Sequence, residues 1–202
     1  MFENFKVPKE LIPSDPRFGV GPSLVPVEAV ANLAKTGSKL LGTSHRKTAV
    51  RELVKELQDG IRKYFKLPDD YEVVLGNGGA TLFWDMIGFG MVEKSSIHFI
   101  CGEFSDKWYR SHKIMPWIQA KDVKVDFGQG INPVEHEGYD FYCCTLNETS
   151  TGVQLSNIPK LKNPDALMAV DATSGAGQIK ADFKNIDLYY FSPQKVFASD
   201  YC

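Results

Sequence analysis

Apolar and polar positions recur along this chain with two different periods, and the change from one to the other predicts its elements. The longest regular stretch covers residues 48–66, where Val50, Leu53, Val54, Leu57, Ile61 and Tyr64 recur at helical spacing. That spacing predicts an amphipathic helix whose stripe faces the core, with Thr48 placed to cap it and Pro68-Asp69-Asp70 to stop it. Upstream, Pro26 opens a shorter helical pattern through Val27, Val30 and Leu33 to Lys35, with Gly37 as its predicted end. Elsewhere the pattern is that of strands. Residues 71–75, 96–101, 121–127, 140–145, 166–170 and 187–191 are short apolar or alternating runs bounded by turn residues. Between them, Leu82, Phe83, Met86 and Ile87 follow a helical pattern, as do the residues around Trp108, Tyr109 and His112. Strands alternating with helices predict an α/β fold with a mostly parallel sheet flanked by helices.

Composition adds limits rather than direction. The chain has 202 residues, 43% of them hydrophobic, which is enough for one full core. A formal net charge of −2 gives no reason to expect nucleic acid or an anionic membrane as a partner. No run approaches the roughly 20 apolar residues of a membrane span, and residues 1–15 lack the apolar core of a signal peptide. Pro8, Pro13 and Pro16 predict an irregular arm over residues 1–20, ahead of one large domain from 21 to 202. Cys101, Cys143, Cys144 and Cys202 show no C-x-x-C spacing, so reduced thiols in a cytosolic protein are expected, with no metal site.

Chemistry gathers at the predicted strand ends. Strand 71–75 runs into Gly76-Asn-Gly-Gly-Ala-Thr81 and then a helix, which suits either an anion cradle or a tight strand–helix turn. Neither the P-loop pattern nor G-x-G-x-x-G is present. Strand 96–101 leads to Phe104, which can stack on a flat ring or fill core. Strand 140–145 leads to Asn147-Glu148-Thr149, and strand 166–170 to Asp171. The last run breaks at Ser192-Pro193, and Lys195 follows, either a surface lysine on a turn or an amine able to attack a carbonyl. The loop Gly42–Lys47, with His45 and Arg46, is either solvated or an anion clamp.

In an open parallel sheet such ends converge on one crevice. A glycine loop, an aromatic, an Asn/Thr loop, an aspartate and a lysine suit pyridoxal phosphate, with Lys195 on its aldehyde and Asp171 on its ring nitrogen. Without a second acid or a Walker loop beside it, a magnesium role for Asp171 loses to this reading.

Several motifs, in order, carry a resemblance: Phe18-Gly-Val-Gly-Pro-Ser23, Thr43-Ser-His-Arg46, Gly76–Thr81, Gly102-Glu-Phe104, Asn147-Glu-Thr149, Val170-Asp-Ala-Thr-Ser174 and Phe191-Ser-Pro-Gln-Lys195. Together they resemble the phosphoserine aminotransferases, a family of fold type I, class V pyridoxal-phosphate enzymes. The resemblance implies that Lys195 binds the cofactor covalently and moves the substrate proton. It implies phosphate contacts from Gly79, Ala80 and Gln194, ring stacking by Phe104, a ring-side hydrogen bond from Thr149, and a ring-nitrogen partner in Asp171. His45 and Arg46 match the substrate-anion loop. Ala80 stands where many members have arginine, and Phe104 where many have tryptophan.

The implied reaction converts glutamate and 3-phosphohydroxypyruvate to 2-oxoglutarate and O-phosphoserine, in serine biosynthesis, by a cytoplasmic homodimer. The chain is expected to represent the N-terminal part of the family, ending before the small C-terminal domain, so the isolated 202 residues can be inactive. Alanine–glyoxylate transamination, cysteine desulfuration, a non-catalytic fragment and a nucleotide-binding domain are the alternatives. The last lacks a phosphate fingerprint.

Overall fold

The structure, a computed structural model, describes residues 6–15 and 21–200. Four α-helices precede or alternate with the strands: α1 Val27–Leu40, α2 Thr48–Phe65, α3 Ala80–Gly90 and α4 Glu103–Lys113. The strands are β1 Ser95–Ile100, β2 Gln119–Lys124, β3 Phe141–Thr145, β4 Asn147–Glu148, β5 Val153–Gln154, β6 Leu167–Asp171 and β7 Leu188–Tyr190. Five of them form one sheet in the order β2-β1-β3-β6-β7, and every neighbouring pair in it is parallel. β4 and β5 make a small antiparallel hairpin beside it.

The central strands are buried on both faces, as a parallel sheet covered on two sides requires. Along β3, Phe141 and Cys143 point to one layer, and Tyr142 and Cys144 to the other. The first layer holds Trp84 and Ile87 of α3 and Trp108 of α4. The second gathers Ile97, Phe99, Met168, Val170 and Phe183, with Phe65 and Leu67 from the end of α2 packed against them.

Several expectations are corrected. Segment 71–75 joins no strand ladder among the described residues. It is held instead by side chains. Gln58 Nε2 donates to the Val73 carbonyl at 2.7 Å, Arg62 donates to the Tyr71 carbonyl, and the Tyr71 hydroxyl donates to the Phe183 carbonyl at 3.0 Å. Helix α1 runs through Gly37 to Leu40, because nothing at Gly37 interrupts its hydrogen bonds, and Pro26 is its N-cap rather than its first residue. Thr48 is the first residue of α2, not its cap, and the helix ends on Lys66 in a left-handed conformation, φ 52°, ahead of Pro68. The stripe of α2 is not core in this chain, since none of its residues is fully buried. β2 lies two to three residues upstream of the expected run, and the β4–β5 hairpin was not expected at all. Of the expected arm, residues 6–15 carry a 3-10 turn at Lys9–Leu11. Residues 1–5 and 16–20, with Pro16 and the Phe18–Val20 part of the first motif, and Cys202 lie outside the described residues.

Candidate active site

Parallel register brings the chemistry-bearing ends together. Thr145 at the end of β3 pairs with Asp171 at the end of β6, and Asp171 pairs with Tyr190 at the end of β7. Lys195 follows five residues later on a short loop, half-buried. Asp171 and Lys195 therefore leave neighbouring strands at the same edge of the sheet.

Asp171 is buried and well held. Its Oδ2 accepts from Trp84 Nε1 at 3.1 Å and its Oδ1 from the Thr173 amide at 2.9 Å. The same indole N–H also reaches the Tyr190 hydroxyl at 2.9 Å. Burial pushes the Asp171 carboxyl above its usual range, and the hydrogen bonds from Thr173, Trp84 and Tyr190 only partly oppose this. Burial likewise keeps the Tyr190 hydroxyl protonated, reinforced by the Asp171 charge. A buried carboxylate in this state gains from any cationic N–H set beside it.

The glycine loop meets the lysine loop at the start of α3. Gly79 is the N-cap of that helix and Ala80 its first residue, and the Ala80 amide donates to Ser192 Oγ at 3.1 Å. Gln194 accepts the Ser23 amide on its carbonyl at 2.8 Å. Its side-chain Oε1 is buried without a partner among the described residues, which leaves the amide available to a ligand.

Phe104 lies in the first turn of α4, 41% exposed, past the end of β1. Its position is fixed by Glu148, a fully buried carboxylate that accepts from the Phe104 amide at 3.2 Å, the Ser105 amide at 2.9 Å and Ser150 Oγ at 2.7 Å. A carboxylate on the free N–H groups of a helix start is favourable on both hydrogen-bonding and dipole grounds. Thr149, next in sequence, donates to Ser174 Oγ at 2.7 Å, and so ties the β3 end to the turn after Asp171. His45 and Arg46 lie exposed on the loop between α1 and α2. Among the described residues, no hydrogen bond or ion pair links their side chains to the crevice.

Sequence reasoning missed four residues here: Trp84, Tyr190, Ser192 and Glu148. A buried tyrosine or tryptophan must satisfy its polar atom, so Trp84 and Tyr190 inside apolar runs were the available signal. Glu148, a lone acid among hydroxyl residues just past a buried strand, was another.

A second cluster is core. His98, His112 and Cys143 each bring a ligand atom within 4.8 Å of the others. Ser96 Oγ sits between His98 Nε2 at 3.0 Å and His112 Nδ1 at 3.2 Å, and Trp108 Nε1 donates to His112 Nε2 at 3.2 Å. Burial drives both imidazoles down, His112 to about 4, and drives the Cys143 thiol up. Three of the four ring nitrogens are engaged by protein groups, so the cluster is a packed polar network rather than a ligand set. Cys101, Cys143 and Cys144 are free and buried. Two surface cavities, of about 560 and 690 Å³, lie beside residues 68–72 and beside residues 124–129, away from the Asp171–Lys195 junction. No described helix is long and apolar enough to cross a membrane.

No protein-family model matches the chain. It is 45% identical to the phosphoserine aminotransferase of Nocardioides sp. over 203 aligned positions, 99% of this chain and 54% of that protein. Against the phosphoserine aminotransferase of Corynebacterium glutamicum the identity is 44%, over 96% of this chain and 52% of that one. Among solved structures, the phosphoserine aminotransferase of Cytophaga hutchinsonii superposes with a TM-score of 0.79 at 31% identity, covering 90% of this chain and 52% of its own. A pyridoxal-phosphate-bound phosphoserine aminotransferase from Trichomonas vaginalis shares the fold, with a TM-score of 0.74 at 21% identity, over 88% of this chain and 53% of its own. The architecture is thus that of the large domain of fold type I pyridoxal-phosphate transferases. The chain spans about half the length of the curated relatives it matches. Within that class, the curated relatives that match nearly all of this chain are phosphoserine aminotransferases.

Proposed function

We propose that residues 21–202, behind an arm of residues 1–20, supply the pyridoxal-phosphate-binding domain of a phosphoserine aminotransferase. The observation that carries the reading is the β6–β7 junction, where a buried aspartate and a lysine leave adjacent parallel strands. The residues present fit the cofactor. Asp171 has burial and a raised carboxyl to gain from a protonated ring nitrogen.

When bound, pyridoxal phosphate supplies an aldehyde that captures amines and a ring that accepts electrons. On this reading Asp171 holds the ring nitrogen in its protonated form, oriented by Trp84 and Tyr190. Lys195 would hold the cofactor through its amine and, as a free amine, would move the proton at the substrate Cα. Gly79, Ala80 and Gln194 surround the phosphate at the start of α3. Ser192, already bonded to the Ala80 amide, sits beside them. Phe104 covers one ring face and Thr149 bonds at the ring's side. His45 and Arg46 take the substrate's anionic end. Their exposed loop must come to the crevice for that role.

The proposed substrates are glutamate and 3-phosphohydroxypyruvate, giving 2-oxoglutarate and O-phosphoserine for serine biosynthesis. A cytoplasmic homodimer belongs to the same reading and rests on the resemblance.

The test is spectroscopic. Pyridoxal phosphate added to the wild type is expected to give a new visible band and, after borohydride, a label on Lys195 found by peptide mass. Lys195→Ala is expected to lose both, and an unchanged band and label yield in that variant would sink the reading. Phosphoserine is expected to change the band. A response to alanine or cysteine but not to phosphoserine would move the substrate assignment elsewhere in the class.

A further inference from the structure

We propose that Gly21 is a positioning residue for Lys195, an inference that rests on the reading of Lys195 given above. Gly21 has φ +139°, a conformation that residues with a side chain rarely adopt. A Cβ built there would stand 2.5 Å from Lys195 Cδ, 3.1 Å from Nζ and 3.3 Å from Cε. All three are atoms of one flexible side chain. The lysine, not the backbone, would yield to a methyl group at this position.

The turn that presents Gly21 is anchored on the lysine loop itself, through the Ser23 amide and the Gln194 carbonyl at 2.8 Å. Other contacts fix the backbone of that loop. Ser192 Oγ accepts the Ala80 amide at 3.1 Å. A Cβ at Gly177, φ +82°, would meet Val196 Cγ1 at 2.8 Å and Phe197 Cζ at 3.0 Å. The Tyr64 hydroxyl holds Gly177 in turn, donating to its carbonyl at 2.9 Å. The two glycines therefore do different jobs. Gly177 lets the residues after the lysine pack, whereas Gly21 faces the lysine stem and amine directly. What Gly21 contributes is the space in which the amine lies.

Displacing a reactive group by an ångström costs up to about a hundredfold in rate, so the effect belongs to reactivity more than to stability. The experiment compares Gly21→Ala, Lys195→Ala and the double variant by melting temperature. For Gly21→Ala it also follows the rate at which borohydride fixes pyridoxal phosphate to Lys195, located by peptide mass. Gly21→Ala is expected to slow fixation roughly tenfold to a hundredfold. Its loss of Tm is expected to shrink in the Lys195→Ala background, because backbone strain is common to both backgrounds and the collision is not. For contrast, Gly177→Ala is expected to lose the same Tm in either background.

Fixation at the wild-type rate in Gly21→Ala, or an equal Tm loss in both backgrounds, overturns the proposal. Should Gly21→Ala alone fail to fold, recovery in the double variant upholds the proposal and continued unfolding overturns it. A wild type that fixes no cofactor at Lys195 overturns the reading of Lys195 itself. That result is separate from anything the melting cycle reports.

Discussion

Helices α2 and α4 have comparably regular sequences and opposite fates. On α4, Ser105, Asp106, Trp108 and His112 are buried against the sheet. On α2, which is longer, no residue is fully buried, and Leu53 and Leu57 remain 50% exposed. Only the C-terminal end of α2 docks, where Phe65 meets Phe183, Tyr189 and Phe191 edge-on or tilted. Periodicity decides that a helix forms and which face is apolar. What covers that face is a property of the tertiary neighbours, and for α1 and α2 those described here cover little of it. The deeply buried half of this molecule is therefore the one bounded by β1, β3, β6, α3 and α4, while α1 and α2 stand at its margin.

Stability measurements can break or sharpen this contrast. The largest loss is expected for Trp108→Ala, since Trp108 is buried, stacked on Trp84 at 6.4 Å and bonded to His112. Urea unfolding should register about 3–5 kcal/mol. Next comes acid. His112 is held to about 4 by burial, against the opposing pull of the Trp84 carbonyl and Asp85, while an unfolded histidine titrates near ~6.5. The unfolded state then binds the extra proton first, so stability present above pH ~6.5 is lost as pH falls toward about 4, by about 3 kcal/mol. His98, lowered further by burial and by His112, acts in the same direction. Denaturation curves across that range should lose part of the step in His112→Gln, and a flat wild-type profile would contradict the buried neutral pair.

Glu148→Ala comes third. It strands the Phe104 and Ser105 amides at the start of α4, for about 1–3 kcal/mol, and Glu148→Gln should retain part of that. Smallest is Leu57→Ala on α2, within about 0.5 kcal/mol. A loss at Leu57 that rivals the one at Trp108 would mean that the α2 face is covered after all.

The same distinction explains what the sequence made legible. Strands β1, β3, β6 and β7 lie within a residue or so of their apolar runs; in β1, β3 and β6, burial on both faces leaves a continuous signal. Residues 71–75 carry an equally good signal and form no ladder, since strand propensity states fitness for a sheet and not the presence of a neighbour. The two-residue strands of the β4–β5 hairpin are too short for any period to register. The placement of Asp171 and Lys195 at neighbouring strand ends was legible from the order of runs and breaks. The indole of Trp84, 87 residues from the aspartate it orients, was not, because hydrogen bonds that distant in sequence have no local signature. Gly21 was visible only as part of the Phe18–Ser23 motif. Its collision with the Lys195 stem exists only in three dimensions.

The two margins of the main sheet are unlike. β2 closes one side with Lys121, Asp122 and Lys124 along its length, charges that discourage another chain from adding a strand there. β7 closes the other with Leu188, Tyr189 and Tyr190, and among the described residues it pairs only with β6. For anyone handling this polypeptide, the sticky margin is thus the uncharged one. Precipitation at high concentration should begin by strand addition at β7.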